Sequence, residues 1–146
     1  MSIKSKQFCA YLAGFLDGDG SIYVRAKPNP SYKYGFQIAL YVAFFQSVSS
    51  KHFLDMVHDI GYGSTRLRKD GIYEFTINKQ AEIKDFLTRV SPYLKLKRAQ
   101  SDLALVILTL KANISSESDF MNVLEKINSY RELNYSKQRK TRTLTP

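Results

Sequence analysis

Asp17 and Asp19 close a run of apolar and small residues, Leu12-Ala13-Gly14-Phe15-Leu16-Asp17-Gly18-Asp19-Gly20, and they are the side chains of this sequence best placed to do chemistry. The run suits a helix, and Ala10 and Gly14, four residues apart, share one face of it. Small residues at that spacing let a second backbone approach closely. Glycine readily takes the left-handed conformation that ends helices, so a stop is expected near Gly18 and Gly20. The two aspartates then sit at the negative end of the helix dipole, where an uncompensated carboxylate is unfavourable. Something positive is called for, most simply a divalent cation held by oxygen ligands.

Other uses of the pair fit less well. An Asp-Gly step alone is a common turn former. Counted from Asp17, the sixth position is Ile22 where an EF-hand needs glycine, and the twelfth is Pro28 where it needs glutamate. A pair of glycosidase carboxylates would need a sugar cleft, and nothing else in the chain points to one. Cys9, the single cysteine, cannot form an internal disulfide, suits a reducing compartment and reads as a packing residue.

The elements that must position these residues follow from periodicity. A first helix is expected from about Lys6 to Asp17. From Gly20 the period becomes two: Ser21, Tyr23, Arg25 and Lys27 alternate with Ile22, Val24 and Ala26, a strand with one wet and one dry face. Pro28-Asn29-Pro30-Ser31 turns the chain. A second strand from Tyr34 to about Phe45 puts Phe36, Ile38, Leu40, Val42 and Phe44 on one face and Gln37, Ala39, Tyr41 and Ala43 on the other. Ser49 or Ser50 can cap a helix reaching Ile60. A second hairpin joins Ser64 to Arg68 with Ile72 to Ile77 across Lys69-Asp70-Gly71, a signal compatible with a type I′ turn. Its wet face holds Ser64, Arg66, Arg68, Glu74 and Thr76, and its dry face Leu67, Tyr73, Phe75 and Ile77.

Further helices are expected over about Gln80 to Val90, over Lys95 to Leu110 with a stripe of Leu103, Val106, Ile107 and Leu110, and around Phe120, Val123, Leu124 and Ile127. The order α-β-β-α-β-β-α with additional C-terminal helices gives an α+β fold: a two-layer antiparallel sheet with helices on one face. A single domain spans 1–146, with its core over about 6–130 and a basic, mobile tail over 134–146. One motif and no tandem repeat are present.

Composition narrows the partner. The chain has 146 residues, 44% hydrophobic and 13% aromatic, enough for a core. Its net charge is +9, which points to a polyanion, nucleic acid before an anionic membrane surface. Between Asp19 and Asp55 there is no acidic residue, while Arg25, Lys27, Lys33 and Lys51 are basic. The apolar run Leu103 to Leu110, which includes Thr109, is far short of the roughly 20 residues a bilayer needs. Lys4 and Lys6 before Phe8 to Leu16 mimic a signal peptide, but the run enters Asp17 and Asp19 without a small-residue cleavage site. No membrane partner and no small-molecule substrate are expected. On both hairpins the wet face is polar and basic, and a β-ribbon of that kind fits the major groove of DNA.

As a whole, the nonapeptide resembles the signature of the LAGLIDADG homing endonucleases, which cut DNA at long sites. The resemblance extends to Tyr11 before it, to Ser21 and Ile22 after it, and to Lys27-Pro28-Asn29-Pro30-Ser31-Tyr32-Lys33, Phe53-Leu54-Asp55, Ile60-Gly61 and Pro92-Tyr93-Leu94-Lys95-Leu96-Lys97. The pattern is similar to that of the small, single-motif members encoded in organellar introns, and it implies an intracellular, organellar place of action in support of intron mobility. The resemblance implies DNA contacts by Ser21, Tyr23, Arg25, Lys27, Asn29, Ser31, Tyr32, Gln37, Arg66, Arg68, Glu74 and Thr76, with apolar contacts from Ala39 and Ala43. It implies metal-assisted phosphodiester hydrolysis, with Mg²⁺ on the Asp19 carboxylate and the Gly18 carbonyl; Mn²⁺ or Ca²⁺ could take the same site. Gln46 then helps order water, and Lys97 offsets charge on the phosphate.

One position departs from the family pattern. Four residues after the pocket glutamine a second basic residue is usual, and here that position holds Ser50, with Lys51 beside it: either Lys51 takes over through a small helix rotation or the pocket is less basic. One motif per chain gives one strand-cutting centre, so cutting a duplex needs two chains. They are expected to pack helix to helix through Ala10, Ala13, Gly14 and Asp17, on a pseudo-palindromic target. The alternative is a protein of the same fold that binds DNA without cutting it, or an intron RNA maturase.

Overall fold

A computed structural model describes residues 1–133. The basic segment expected to be mobile, 134–146, lies outside the described residues. Among these residues five α-helices and four strands follow in order: α1 Lys6–Asp19, β1 Gly20–Pro28, β2 Phe36–Ser47, α2 Lys51–Ile60, β3 Ser64–Leu67, β4 Ile72–Ile77, α3 Gln80–Val90, α4 Arg98–Ala112 and α5 Glu117–Glu132, with a short 3-10 turn, Ser91–Tyr93, after α3. The strands form one antiparallel sheet in the order β1-β2-β4-β3. The two hairpins therefore meet through β2 and β4, where Ala43 faces Thr76 and Phe44 faces Phe75.

The alternation read from sequence becomes a division into two layers. Ile22, Val24, Ala26, Ile38, Leu40, Val42, Phe44, Phe75 and Ile77 are buried under the helices with Leu12, Leu16, Phe86, Leu87 and Ile107. Ser5 starts α1 by accepting from the Phe8 amide, and Ser116 starts α5 by accepting from the Asp119 amide. Tyr130, wholly buried, ties α5 to the sheet by donating its hydroxyl to the Ile22 carbonyl. Among the described residues no helix is long and apolar enough to cross a membrane.

Several expectations are corrected by the packing. Helix α1 runs to Asp19 and so ends between Gly18 and Gly20 as expected, though two residues beyond Asp17, and no left-handed glycine stops it. Gly20 is extended, with φ −99° and ψ 175°. Glycine is needed there for space: a Cβ would lie 2.6 Å from Leu16 Cδ1 and 3.0 Å from Phe44 Cδ1, where the helix passes straight into the sheet. The second hairpin does not use a type I′ turn, which requires two residues with positive φ. Only Gly71 has one in that loop, φ +80°, and its amide donates to the Arg68 carbonyl at 3.1 Å, giving a three-residue loop. Leu67 is 55% exposed, because edge strand β3 extends beyond the helical cover. Helix α4 buries Ile107 of the expected stripe and half-buries Leu103 and Leu110 against the core, but Val106 is left exposed and Ser101, Ala104 and Leu108 are buried in addition. Neighbours on two sides, α3 and α5, set that face.

Candidate functional site

The end of α1 separates its two aspartates into different roles. Asp17 Oδ2 accepts from the Lys95 amide at 2.8 Å and Oδ1 from the Lys97 amide at 2.9 Å. Lys97 Nζ donates to the Asp17 carbonyl oxygen at 2.8 Å. The cost of a carboxylate at the negative end of a helix is thus offset by two amides and an ammonium group, and the segment before α4 is pinned to α1. This bonding starts α4 at Arg98, later than the expected Lys95. Burial pushes the Asp17 carboxyl up, but the amides of Lys95, Lys97 and Leu96 and the Lys97 charge outweigh it and hold its pKa below the usual carboxylate range.

A carboxyl depressed in the folded state contributes stability above its unfolded pKa and loses it as the pH falls through the lower folded value. Acidification below about pH 4 should therefore weaken the chain. Asp17→Asn should cost about 1–3 kcal/mol at neutral pH and flatten that acid limb. Denaturant unfolding at neutral and acid pH measures both; parallel profiles for variant and wild type would remove Asp17 from the account.

Asp19, by contrast, is exposed, and among the described residues no group donates to its carboxylate. The Gly18 carbonyl stands in the last turn, where a helix cannot satisfy its own acceptors. Oxygen donors of this kind suit a hard divalent cation. Among the described residues no group of three or more His, Cys, Asp or Glu side chains could enclose a metal. One chain therefore offers part of a coordination shell, a carboxylate and a carbonyl, with the Lys97 ammonium one residue behind.

Gln46 is near the same end of the sheet. Gly20, the first residue after α1, pairs with Phe44, and Gln46 follows two residues later on β2, where it pairs with Tyr73 of β4. It has the parity of Phe44, on the helix side of the sheet, and its Oε1 accepts from the Ser47 amide at 3.0 Å. Ser50 is the N-cap of α2 but makes no side-chain cap bond, and Lys51 is exposed in the first turn.

The open face of the sheet carries the other expected residues in cross-strand rows. Ser21, Ala43, Thr76 and Ser64 form one row, and Glu74 and Arg66 stand in the next. Tyr23 faces Tyr41, Arg25 faces Ala39, and Lys27 faces Gln37. Arg66 is ion-paired with Glu74, and Arg68 with Asp70 at 2.8 Å, so both guanidiniums are held at the surface before any ligand arrives. At the tip of the first hairpin Asn29 Oδ1 accepts from the Ser31 amide and hydroxyl at 3.0 and 2.7 Å, beside exposed Tyr32.

Two expectations fail on burial. Ala43 is 1% exposed, enclosed within its row in mid-sheet, so its methyl group cannot serve as a contact. Ala13 is fully buried in this chain's own core, so it cannot lie at an interface between chains. Asp17 gives each carboxylate oxygen one bond within its own chain. Ala10 and Gly14 do face outward, with Tyr11 56% exposed beside them. Tyr41 was not among the expected contacts. The alternation that put it on the wet face was the available signal.

A helix that delivers a free carboxylate to the edge of a four-stranded sheet, with a polar and basic open face, defines the class. The chain belongs to the LAGLIDADG endonuclease family, which it matches over residues 12–97. It is similar to the DNA endonuclease I-CreI of Chlamydomonas reinhardtii, 38% identical over 143 residues that cover 97% of this chain and 87% of that protein. It is also similar to the DNA endonuclease I-CvuI of Chlorella vulgaris, 36% identical over 114 residues, 77% of this chain and 70% of that one. The crystal structure of the homing endonuclease I-CvuI in complex with an I-CreI target superposes with a TM-score of 0.83 at 33% identity, over 92% of this chain and 87% of that chain. An archaeal intron-encoded homing endonuclease, I-Vdi141I, shares the fold with a TM-score of 0.80 at 14% identity, over 96% of this chain and 92% of that one.

Proposed function

We infer that this chain is a site-specific DNA homing endonuclease that works as a homodimer with Mg²⁺. The observation that carries the reading is the direct passage of α1 into β1: the free Asp19 carboxylate stands at the end of the sheet whose open face presents Arg25, Lys27, Arg66 and Arg68. The face grips a duplex by charge and reads base edges by its arginines and Gln37. Asp19 and the Gly18 carbonyl hold the metal, which when bound lowers the pKa of water and stabilises charge on the phosphate. Gln46 orients water at the same sheet end. One carboxylate per chain supplies one cut, so a second chain, packed on the outward face of Ala10 and Gly14, supplies the other strand's centre.

Incubation with a randomised double-stranded DNA library, with and without Mg²⁺, followed by sequencing of bound and cut molecules, tests this. Selective binding in both conditions and cutting at one pseudo-palindromic site only with Mg²⁺ is expected. Absence of any selected sequence would overturn the reading.

Ser50 favours a second reading, in which the fold binds its target without cutting. It replaces a family base with a hydroxyl, and the neighbouring Lys51 points from an exposed turn. Lys97 decides between them. In a cutting enzyme, Lys97→Met should slow cleavage by about 10²-fold and weaken binding much less, because its charge matters most in the transition state. Single-turnover rates at saturating protein measure this directly, and an unchanged rate would exclude Lys97 from the cutting step.

A further inference from the structure

On the open sheet face a set of contacts runs along the surface, from one side chain to the next. Tyr23 on β1 and Tyr41 on β2 are cross-strand partners, and their rings stack 14° from parallel with centroids 4.4 Å apart. The Tyr23 hydroxyl accepts from Arg25 Nη1 at 3.5 Å, and Lys27 Nζ stands 5.7 Å from the centre of the same ring. Arg25's own cross-strand partner is Ala39, whose methyl group gives a guanidinium nothing to bond to. Tyr23 gives the Arg25 guanidinium an acceptor on this face, and Tyr41 is the plate against which Tyr23 lies.

We propose that Tyr41 is a positioning residue for sequence reading: it holds the Tyr23 ring, the Tyr23 hydroxyl holds the Arg25 guanidinium, and the base pair selected by Arg25 depends on a tyrosine that does not read it. The proposal rests on the open face being the DNA-reading surface. An arginine carries several freely turning bonds, and ordering them on binding is costly. One N–H given to the phenol leaves four of the five donors, enough for a two-point grip on O6 and N7 of guanine. The stack supplies rigidity at little entropic cost, since a tyrosine has only two turning bonds to fix.

The test is a binding selection from a randomised DNA library with wild type, Arg25→Ala, Tyr23→Phe, Tyr41→Ala and Tyr41→Phe, without metal so that nothing is cut. Arg25→Ala is expected to lose preference at one base pair per half-site. Tyr41→Ala should lower preference at that same pair by roughly five- to tenfold with Arg25 intact, leaving the other positions as they were. Tyr23→Phe keeps the stack but not the hydroxyl and should do the same, while Tyr41→Phe keeps the stack and should hold that preference far better than Tyr41→Ala. A Tyr41→Ala profile that matches wild type, or one weakened equally at every position, overturns the proposal. So does an Arg25→Ala profile with no lost position. A wild type that selects no sequence at all overturns the DNA-reading surface itself, a distinct failure.

Discussion

Asp19→Asn should lose DNA cleavage by roughly three orders of magnitude or more and keep sequence-specific binding. The structure separates the two activities. Asp19 is exposed at the last residue of α1, bonded to nothing among the described residues, so the amide removes a charge without breaking an internal tie. The residues proposed to read DNA lie along β1, β2, β3 and β4, away from it. Asp17, two residues earlier, gives the contrast: its change breaks bonds to Lys95 and Lys97 and should show in unfolding before it shows in cutting. Cleavage rates at saturating protein, alongside binding by gel shift, compare the two. Wild-type cutting by the Asp19 variant would remove it from the chemistry.

Gly14→Leu should leave the single chain folded and abolish both assembly and double-strand cutting. A Cβ built at Gly14 meets nothing within 4 Å, so this chain's own packing has no need of glycine there. Glycine inside a helix costs about 1 kcal/mol relative to alanine, so the replacement should raise the stability of the separated chain slightly. A glycine kept against propensity on an outward face, with Ala10 one turn before it, fits a close helix-to-helix approach between two chains. Sedimentation velocity reads the assembly, and plasmid relaxation against linearisation reads one cut against two. A variant that still sediments as a dimer, or a wild type that is a fully active monomer, would overturn the homodimer.

What local pattern determines was readable along the chain. The alternation in β1 and β2 placed Ile22, Val24 and Val42 inside and Tyr23, Arg25 and Gln37 on the open face, because side chains on a strand change sides at every residue whatever lies nearby. The span of α3, Gln80–Val90, and the buried side of α5, with Phe120, Val123, Leu124 and Ile127, followed from helical spacing in the same way. The family was carried by the nonapeptide together with the segments that follow it, and the match over residues 12–97 bears it out.

What depends on a distant partner was decided by tertiary structure. Two aspartates one glycine apart are alike in sequence. They differ because the amides of Lys95 and Lys97, nearly 80 residues on, come to rest on Asp17 and leave Asp19 free. Gly20 looks like a helix stop, yet it is extended and owes its identity to Leu16 and Phe44 crowding the point where α1 enters the sheet. Ala13 and Gly14 are adjacent small residues, and packing of α1 on the core turns one inward and leaves the other facing out. Periodicity says which side of an element a residue occupies; only the assembled fold says what covers that side, because burial belongs to the pair of surfaces that meet.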